Sequence, residues 1–326
     1  MRALVVEELL PDYAGVRVKE TPTPEPGPGE VRIKIRAAAV NFPDLMQTRG
    51  EHQHKPTVPF VGGLELAGDV DKLGEGVTGF AVADAVVAGG RGGFAEYVVL
   101  PAAALRKKPE RLSFSEAAGY PVAYLTAYVA LKRAADAQAD EWVLVHGASG
   151  GVGLAAVDYA KVLGCKVIAA SASDEKLALI AKEYPVDAIV NVTRGFRERV
   201  KELTGGKGAD VIYDPVGGDV FDESVRCVAF GGRILSIGFT SGRLPTLPVN
   251  IALIKGFSLH GVRAGEYGRQ FPDKGRENDD AIWKLAEQGL VTPRVDAEYP
   301  LDGWRDAFET LAQRKVVGKT IIRPDL

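Results

Sequence analysis

The pattern of apolar and polar positions changes near residue 115 of this chain. Before that point, short runs with strand character alternate with turns rich in glycine and proline. The clearest run is residues 31–36 (VRIKIR), where apolar and polar residues alternate with the period of two expected for a half-buried strand. Further strands are predicted at residues 66–72, 85–88 and 95–100. Many short strands close together indicate a β-rich, barrel-like domain.

Beyond residue 115 the pattern predicts an Ala-rich helical stretch to residue 135 and then alternating strands and helices. The predicted strands are residues 142–146, 166–171, 188–191, 211–214 and 232–237. The predicted helices between them are residues 151–163, 174–184, 196–203 and 220–230, and a helix end and a strand follow at 251–262. This alternation is typical of an α/β fold with a doubly wound parallel sheet. Residues 277–326 predict two amphipathic helices and a strand at Lys319–Arg323.

Composition and charge exclude several classes of protein. Of the 326 residues, 46% are hydrophobic and 25% are charged, and the formal net charge is -3. A slightly negative net charge does not indicate binding to nucleic acid. No apolar run reaches the roughly 20 residues that are needed to span a bilayer. The first residues lack the apolar core of a signal peptide, and Cys165 and Cys227 cannot form a disulfide framework. We expect no nucleic-acid partner, no membrane span and a cytoplasmic location.

A glycine-rich loop follows the predicted strand at residues 142–146. It reads GASGGVG at residues 147–153, with Ala148, Gly150 and Gly153 at the three positions of a dinucleotide-binding fingerprint. Small residues there let the chain turn tightly and let backbone N–H groups approach a pyrophosphate at the positive end of the next helix. The strand and helix on either side are the context that this motif requires, although a turn without a ligand is the alternative. The predicted cofactor-binding residues are Ala148, Ser149, Gly150, Gly151, Val152 and Gly153.

The end of the second predicted strand indicates which nicotinamide cofactor is bound. An acidic residue there would bind the ribose 2′-hydroxyl of NAD, but this strand ends at Ser171. Ser171, Ser173 and Lys176 offer hydroxyl donors and one cation, which suit the 2′-phosphate of NADP(H). Ser173 can also cap the next helix, with Asp174 in its first turn and Lys176 in solvent. We predict NADP(H) as the cofactor.

Several segments together resemble the medium-chain dehydrogenase/reductase superfamily, and within it the zinc-independent quinone oxidoreductases. They are residues 39–44 (AVNFPD), 62–68 (GGLELAG), 92–97 (GGFAEY), 125–128 (LTAY), the glycine loop, 214–218 (DPVGG) and 231–234 (GGRI). The resemblance covers essentially the whole chain and implies a GroES-like catalytic domain split around a Rossmann domain. Its implied parts are residues 1–121 (catalytic domain), 122–262 (Rossmann domain) and 263–326 (return to the catalytic domain). It also implies a homodimer, which we expect to form through the apolar strand at residues 256–262.

The resemblance further implies that no zinc is bound. Zinc-dependent members carry Cys where this chain has Asn41 and His where it has Leu64, and the four-cysteine lobe for structural zinc is absent. A zinc site needs about three or four Cys, His or carboxylate ligands. Asp44 and Glu65 alone make a poor zinc site, so we expect no metal.

The resemblance also implies which residues act near the substrate. Asn41 matches a residue close to the nicotinamide, and Asn41 and Asp44 are the candidate catalytic residues. Thr126 matches a threonine on the nicotinamide side of the cofactor. The ordinary alternatives are that Asn41 is a turn residue and that the Thr126 hydroxyl bonds to its own helix.

Other residues are implied to contact the cofactor. Lys176 matches a ligand of the 2′-phosphate. Residues 190–192 lack a tyrosine that helps to hold this phosphate in some relatives, and Lys319 is a candidate substitute for it. The segment that resembles the lining of the nicotinamide pocket comprises Gly238, Phe239 and Thr240.

The predicted reaction is hydride transfer from C4 of NADPH to a small conjugated acceptor, either a quinone or the β-carbon of an enal or enone. The cofactor carries the reactivity, while the protein aligns it and excludes water. One alternative is an enoyl-type reductase that acts on an α,β-unsaturated thioester or ketone. Another is a non-catalytic NADPH-binding or RNA-associated protein, because a reductase fold alone does not prove turnover.

Overall fold

Two units, each built around its own sheet, make up the part of the chain that the computed structural model describes, residues 1–291 and 293–326. Unit 1 consists of Met1–Val122 and Thr292–Leu326, and unit 2 consists of Ala123–Val291. Within the described residues, every helix is too short or too polar to span a lipid bilayer.

The elements follow one another along the chain in three sections. The first section contains β1 (Arg2–Val6), β2 (Val16–Glu20), β3 (Glu30–Val40), α1 (Phe42–Thr48), β4 (Phe60–Val61), β5 (Glu65–Leu73), β6 (Ala85–Gly89), β7 (Tyr97–Pro101), β8 (Leu105–Lys107) and α2 (Phe114–Ala118). The second contains α3 (Pro121–Tyr128), β9 (Trp142–Val145), α4 (Gly151–Val162), β10 (Lys166–Ser171), α5 (Asp174–Glu183), β11 (Ala188–Asn191), α6 (Arg197–Leu203), β12 (Ala209–Asp214), α7 (Gly218–Cys227), β13 (Val228–Ser236), α8 (Val249–Lys255), β14 (Ser258–Gly261), α9 (Ala264–Gln270) and α10 (Pro272–Gln288). The third contains β15 (Val295–Pro300), α11 (Trp304–Ala312) and β16 (Lys319–Arg323).

Unit 1 is built on the long strand β3. Its large sheet runs in the order β15-β16-β3-β5-β6-β8, and β7 also pairs with β3. The alternation predicted for residues 31–36 is present, since Val31, Ile33 and Ile35 are buried in the core while Arg32 and Lys34 are not. A second, three-stranded sheet has the order β2-β1-β4. The β-rich first domain is therefore confirmed.

Unit 2 is a parallel sheet with the strand order β11-β10-β9-β12-β13-β14. Its first strand, β9, lies between β10 and β12, so the strand order reverses at β9. Ligands of open α/β sheets bind at such a switch point, outside the carboxyl ends of the strands. The glycine loop directly follows β9 and so lies at this edge of the sheet. The predicted doubly wound fold is confirmed.

Three expectations differ from the structure. The helix predicted at residues 220–230 ends earlier, at Cys227, because Val228 already pairs with Ala209 as the start of β13. Unit 2 extends to Val291, beyond the predicted end at residue 262. The reason is that α9 and α10 belong to unit 2, where the guanidinium of Arg133 donates to Asn278 of α10 at 2.8 Å. The strand β15 was not predicted, because two of its six residues are charged and it ends in proline, so that its sequence has little strand character. Only its pairing with β16 reveals it.

Candidate functional site

A buried polar cluster lies in unit 1 where three strands adjoin. Asn41 directly follows β3, Glu65 begins β5 and Lys319 begins β16. The three residues meet because β3 pairs with both other strands, Val40 opposite Thr320 and Ala38 opposite Leu66. All three side chains are buried. We call this set, together with Asp44, the Asn41 cluster.

The hydrogen bonds within the Asn41 cluster join all three strands. Lys319 Nζ lies 2.7 Å from Asn41 Oδ1 and 2.8 Å from Glu65 Oε1. Asn41 Nδ2 donates to the same Glu65 Oε1 at 2.9 Å. The second oxygen, Glu65 Oε2, accepts from the backbone N–H of Val122 at 2.8 Å. Glu65 is thus the centre of the cluster, and every group it contacts is a donor.

Asp44 lies next to this network in the first turn of α1. Its Oδ2 accepts a hydrogen bond of 2.8 Å from the backbone N–H of Asn41. Burial raises the pKa of the Asp44 carboxyl to about 7, against the lowering effects of the Asn41 amide and the Lys319 ammonium. Asp44 is therefore a carboxyl group that can change its charge near neutral pH.

The structure assigns Lys319 a different position from the one expected of a phosphate ligand. The side chain is buried and its ammonium already contacts Glu65 and Asn41, so the predicted contact with a 2′-phosphate has no support. Sequence analysis did not find the Lys319–Glu65 pair because 254 positions separate the two residues. The only signal in the sequence was the GGLE motif, which marked Glu65 but not its partner.

The Asn41 cluster does not fit a zinc ion. A zinc site needs Cys, His or carboxylate ligands, whereas Asn41 offers an amide and Lys319 brings a positive charge to the buried carboxylate of Glu65. Among the residues described, no three His, Cys, Asp or Glu side chains lie close enough together to hold a metal ion.

The glycine loop of unit 2 has the shape that a dinucleotide fingerprint requires. Gly147 has a φ of 56°, in the left-handed region that favours glycine. A Cβ on Gly153 would lie 2.1 Å from the carbonyl oxygen of Gly147, so only glycine lets α4 approach the turn this closely. Gly150 caps α4 without a side chain, and the first turn of α4 contains no acidic residue. The first turn of α4 therefore brings no negative side chain of its own to the N–H groups at the helix start.

The predicted residues of this loop are distributed around the turn. Ala148 is fully buried, and its amide donates to the carbonyl of Ala170 at 3.0 Å. Gly153 is also buried against the turn. The remaining predicted residues are half-buried: Ser149, Gly150, Gly151 and Val152.

The predicted 2′-phosphate residues lie where β10 ends and α5 begins. Ser171 is the last residue of β10 and is buried. The Ser173 hydroxyl accepts a hydrogen bond of 3.3 Å from the backbone N–H of Lys176. Ser173 therefore caps α5, as the alternative interpretation of this residue expects. Asp174 Oδ1 accepts from Asn191 Nδ2 of the neighbouring strand end at 2.7 Å. The half-buried Lys176 side chain starts in the first turn of α5.

The remaining predicted residues also belong to unit 2. Thr126 lies half-buried in α3. The backbone N–H and the hydroxyl of Thr240 both donate to the carbonyl oxygen of Pro215 at 3.1 Å, so the loop after β13 is held against the turn after β12. Gly238 and Phe239 lie in the same loop, with Phe239 exposed. The structure thus groups Asn41, Asp44 and Lys319 in unit 1 and the other predicted residues in unit 2.

Comparison with known proteins identifies the family of the chain. Residues 27–110 match the alcohol dehydrogenase GroES-like domain, and residues 151–276 match the zinc-binding dehydrogenase family. The chain is 42% identical over 291 residues to a quinone oxidoreductase-like protein 2 homologue of Nematostella vectensis, covering 88% of this chain and 79% of the relative. It is 35% identical over 295 residues to a quinone oxidoreductase of Pseudomonas aeruginosa, covering 89% of each. The quinone oxidoreductase of Escherichia coli, solved with NADPH, has a TM-score of 0.89 at 28% identity and covers 99% of this chain and 100% of its own.

A GroES-like sheet unit combined with a Rossmann-type unit defines the medium-chain dehydrogenase/reductases. Within that superfamily, this chain belongs to the quinone oxidoreductase-like family. It is therefore an oxidoreductase.

Proposed function

We propose that this chain is a zinc-free reductase that uses NADPH to reduce a quinone or another conjugated carbonyl compound. The observation that carries the proposal is Ser171, which ends β10 at the position where an NAD enzyme would place a carboxylate. A carboxylate there would repel a 2′-phosphate, whereas a serine hydroxyl can donate to it. Structures of relatives from E. coli and mycobacteria contain NADPH, which supports the same cofactor here.

The proposed binding mode assigns separate tasks to the residues of unit 2. The N–H groups at the start of α4 would bind the pyrophosphate, and Ser171 and Lys176 would bind the 2′-phosphate. Thr126 and the loop Gly238–Thr240 would contact the nicotinamide end. When bound, the nicotinamide supplies a hydride from its C4 position. The tight contact between Gly153 and Gly147 supports this mode, because it leaves the helix start close to the strand end.

Asn41 and Asp44 are the proposed catalytic residues of unit 1. Hydride transfer to a quinone creates negative charge on the quinone oxygen, and Asn41 would stabilise that charge by donating a hydrogen bond from Nδ2. Asp44 would carry a proton near neutral pH, as the burial of its carboxyl favours. The quinone oxyanion can also take its proton from water, so the reaction does not depend on one strong acid.

The proposal that no zinc takes part rests on charge. The Lys319 ammonium lies 2.8 Å from Glu65, so a cation already neutralises this buried carboxylate. A divalent ion would be repelled at that position. Asn41 in place of a thiolate would also bind zinc weakly.

We further propose that the protein is a homodimer formed through β14. This strand lies at the end of the unit 2 sheet, and α8 beside it exposes Val249, Leu253 and Ile254. Phe230, 87% exposed, contacts Gly256 just after α8 and extends the same apolar surface. A second copy of this chain could continue the sheet and cover the surface. The expected location of the dimer is the cytoplasm, as the sequence predicts.

The test of the proposed function is a panel of acceptors. We expect purified protein to oxidise NADPH with small quinones such as benzoquinone, and to do so equally well with a metal chelator present. Little oxidation of ethanol with NADP should occur. Faster turnover of an α,β-unsaturated thioester than of any quinone would favour the enoyl reductase alternative. Tight NADPH binding with no turnover of any acceptor, or alcohol oxidation that the chelator abolishes, would contradict the proposal.

A further inference from the structure

The Asn41 cluster fixes which way the Asn41 carboxamide points. Lys319 Nζ can only donate, so the Asn41 atom 2.7 Å from it must be the oxygen Oδ1. Glu65 Oε1 accepts from both Lys319 and Asn41, so the Asn41 atom 2.9 Å from it must be the nitrogen Nδ2. A flipped carboxamide would face donor to donor at Lys319 and acceptor to acceptor at Glu65. Because an unmatched buried polar group is costly, the two mismatches together disfavour the flipped form.

One proton of Asn41 Nδ2 is left weakly bound by this arrangement. The first proton is held by Glu65 Oε1 at 2.9 Å. The other faces the carbonyl oxygen of Ala39 at 3.4 Å, which is longer than an ordinary N–H···O bond. Among the polar groups of the Asn41 side chain, this proton is therefore the one to which a ligand oxygen can bind most readily.

We infer that Lys319 and Glu65 are positioning residues that make Asn41 a hydrogen-bond donor, and never an acceptor, toward the substrate. This inference rests on the proposed function, in which Asn41 stabilises an oxyanion. An oxyanion needs a donor, and the Lys319–Glu65 pair selects the one amide orientation that provides it. Lys319 thus acts through Asn41 and does not itself touch the cofactor or the substrate.

The packing of the lysine stem supports this role. A Cβ on Gly119, which follows α2, would lie 3.1 Å from Lys319 Cγ, so the stem runs closely past a glycine. The residue after Lys319, Thr320, pairs with Val40 of β3. The pairing of β16 with β3 and the close contact of the stem with Gly119 therefore both hold the Lys319 ammonium next to Asn41.

A double-mutant cycle tests the inference. Lys319→Met removes the donor and keeps a long apolar stem, and Asn41→Ala removes the amide. If Lys319 acts only through Asn41, Asn41→Ala lowers kcat with a quinone by about tenfold or more, and Lys319→Met lowers kcat by a smaller factor, with little change in KM for NADPH in either variant. The double variant should then be no slower than Asn41→Ala alone. If the fold-reductions of kcat in the two single variants multiply in the double variant, the inference is overturned. An unchanged kcat in Lys319→Met would also overturn it.

A matched control separates positioning from folding. Lys108 is another partly buried lysine of unit 1, and its ammonium donates to the backbone carbonyls of Pro109 and Leu112. Lys108→Met should lower Tm and leave kcat per folded protein unchanged. If Lys319→Met behaves like this control, Lys319 has only a structural role.

A second measurement does not depend on turnover. In NMR spectra, Asn41→Ala identifies the side-chain amide signals of Asn41. Wild-type protein should show one Asn41 proton that exchanges slowly with water, and Lys319→Met should lose this protection. Protection that persists in Lys319→Met would overturn the inference even if the protein reduces no acceptor, whereas absence of turnover alone would contradict only the proposed function.

Discussion

The backbone N–H of Asn41 donates to Oδ2 of Asp44 at 2.8 Å, while Oδ1 of the same carboxyl has no hydrogen-bond partner among the described residues. One half of the carboxyl is thus satisfied and the other half is buried without a donor. Burial is the main cause that raises the pKa of Asp44 from 3.8 to about 7. The uncharged, protonated form is therefore the one that the folded protein favours.

This raised pKa predicts a loss of stability as the pH rises. Between about pH 4 and 7, folded Asp44 holds a proton that the unfolded chain has released, so the free energy of unfolding falls by up to ~1.4 kcal/mol per pH unit across this window. Above the window both states are ionised, and this contribution becomes constant. Asp44→Asn should flatten the slope. Urea unfolding at several pH values measures it, and the exposed Asp306 provides the control Asp306→Asn, which should keep the wild-type slope. Equal slopes for wild type and Asp44→Asn would contradict the raised pKa.

Charge at the end of β10 predicts which nicotinamide the enzyme prefers. A charge-assisted hydrogen bond contributes about 1.5–3 kcal/mol, so Lys176→Ala should raise KM for NADPH by roughly 10- to 150-fold and change KM for NADH little. Ser171→Asp should shift preference toward NADH by repelling the 2′-phosphate. Steady-state kinetics with both cofactors checks this.

Lys182, exposed in the last turn of the same helix, supplies the control for that experiment. Lys182→Ala should leave both KM values unchanged. Equal increases of KM for NADPH and NADH in Lys176→Ala would show that Lys176 does not bind the 2′-phosphate.

Two glycines of the loop should respond differently to alanine. At Gly153 a new Cβ would lie 2.1 Å from a backbone oxygen, whereas at Gly150 the closest atom is 3.4 Å away, an ordinary contact. Gly153→Ala should therefore lower the free energy of unfolding by about 1–3 kcal/mol, as overpacking does. Gly150→Ala should keep the stability and weaken NADPH binding, because its methyl group would meet the pyrophosphate. Thermal unfolding and NADPH titration distinguish the two effects. Equal Tm values for both variants would refute the close approach at Gly153.

The apolar surface beside β14 predicts how the oligomer can be broken. Leu253, 81% exposed, lies on α8. Leu253→Glu should convert a dimer into monomers at micromolar concentration, because a charge would be buried in the interface. Val82, 63% exposed in unit 1, gives the control Val82→Glu, which should remain dimeric. Light scattering measures both, and a monomeric wild type would remove the basis for the proposed interface.

Local patterns in the sequence were sufficient for most of unit 2 and insufficient for the Asn41 cluster. The strand at residues 166–171 and the helix that follows Gly150 have strong periodicity and strong turn signals within a few residues, so their prediction needs no distant information. Lys319 carries no such signal, because its partner Glu65 lies on another strand that only the folded sheet brings near. The end of α7 was misplaced because the apolar residues from Val228 suit a strand as well as a helix, and only the pairing with Ala209 decides between them.

The pairing of β16 with β3 has a consequence for the order of events during synthesis. All strands of unit 2 leave the ribosome before Lys319 does, since they precede it in the sequence. The Rossmann-type sheet can therefore be completed before the sheet of unit 1, because domains generally fold as units during synthesis. The sheet around β3 remains incomplete next to Val40 until β16 has been synthesised and can pair with β3. In a growing chain, the backbone groups of β3 next to Val40 therefore lack their β16 partners until residues 320–322 have been made.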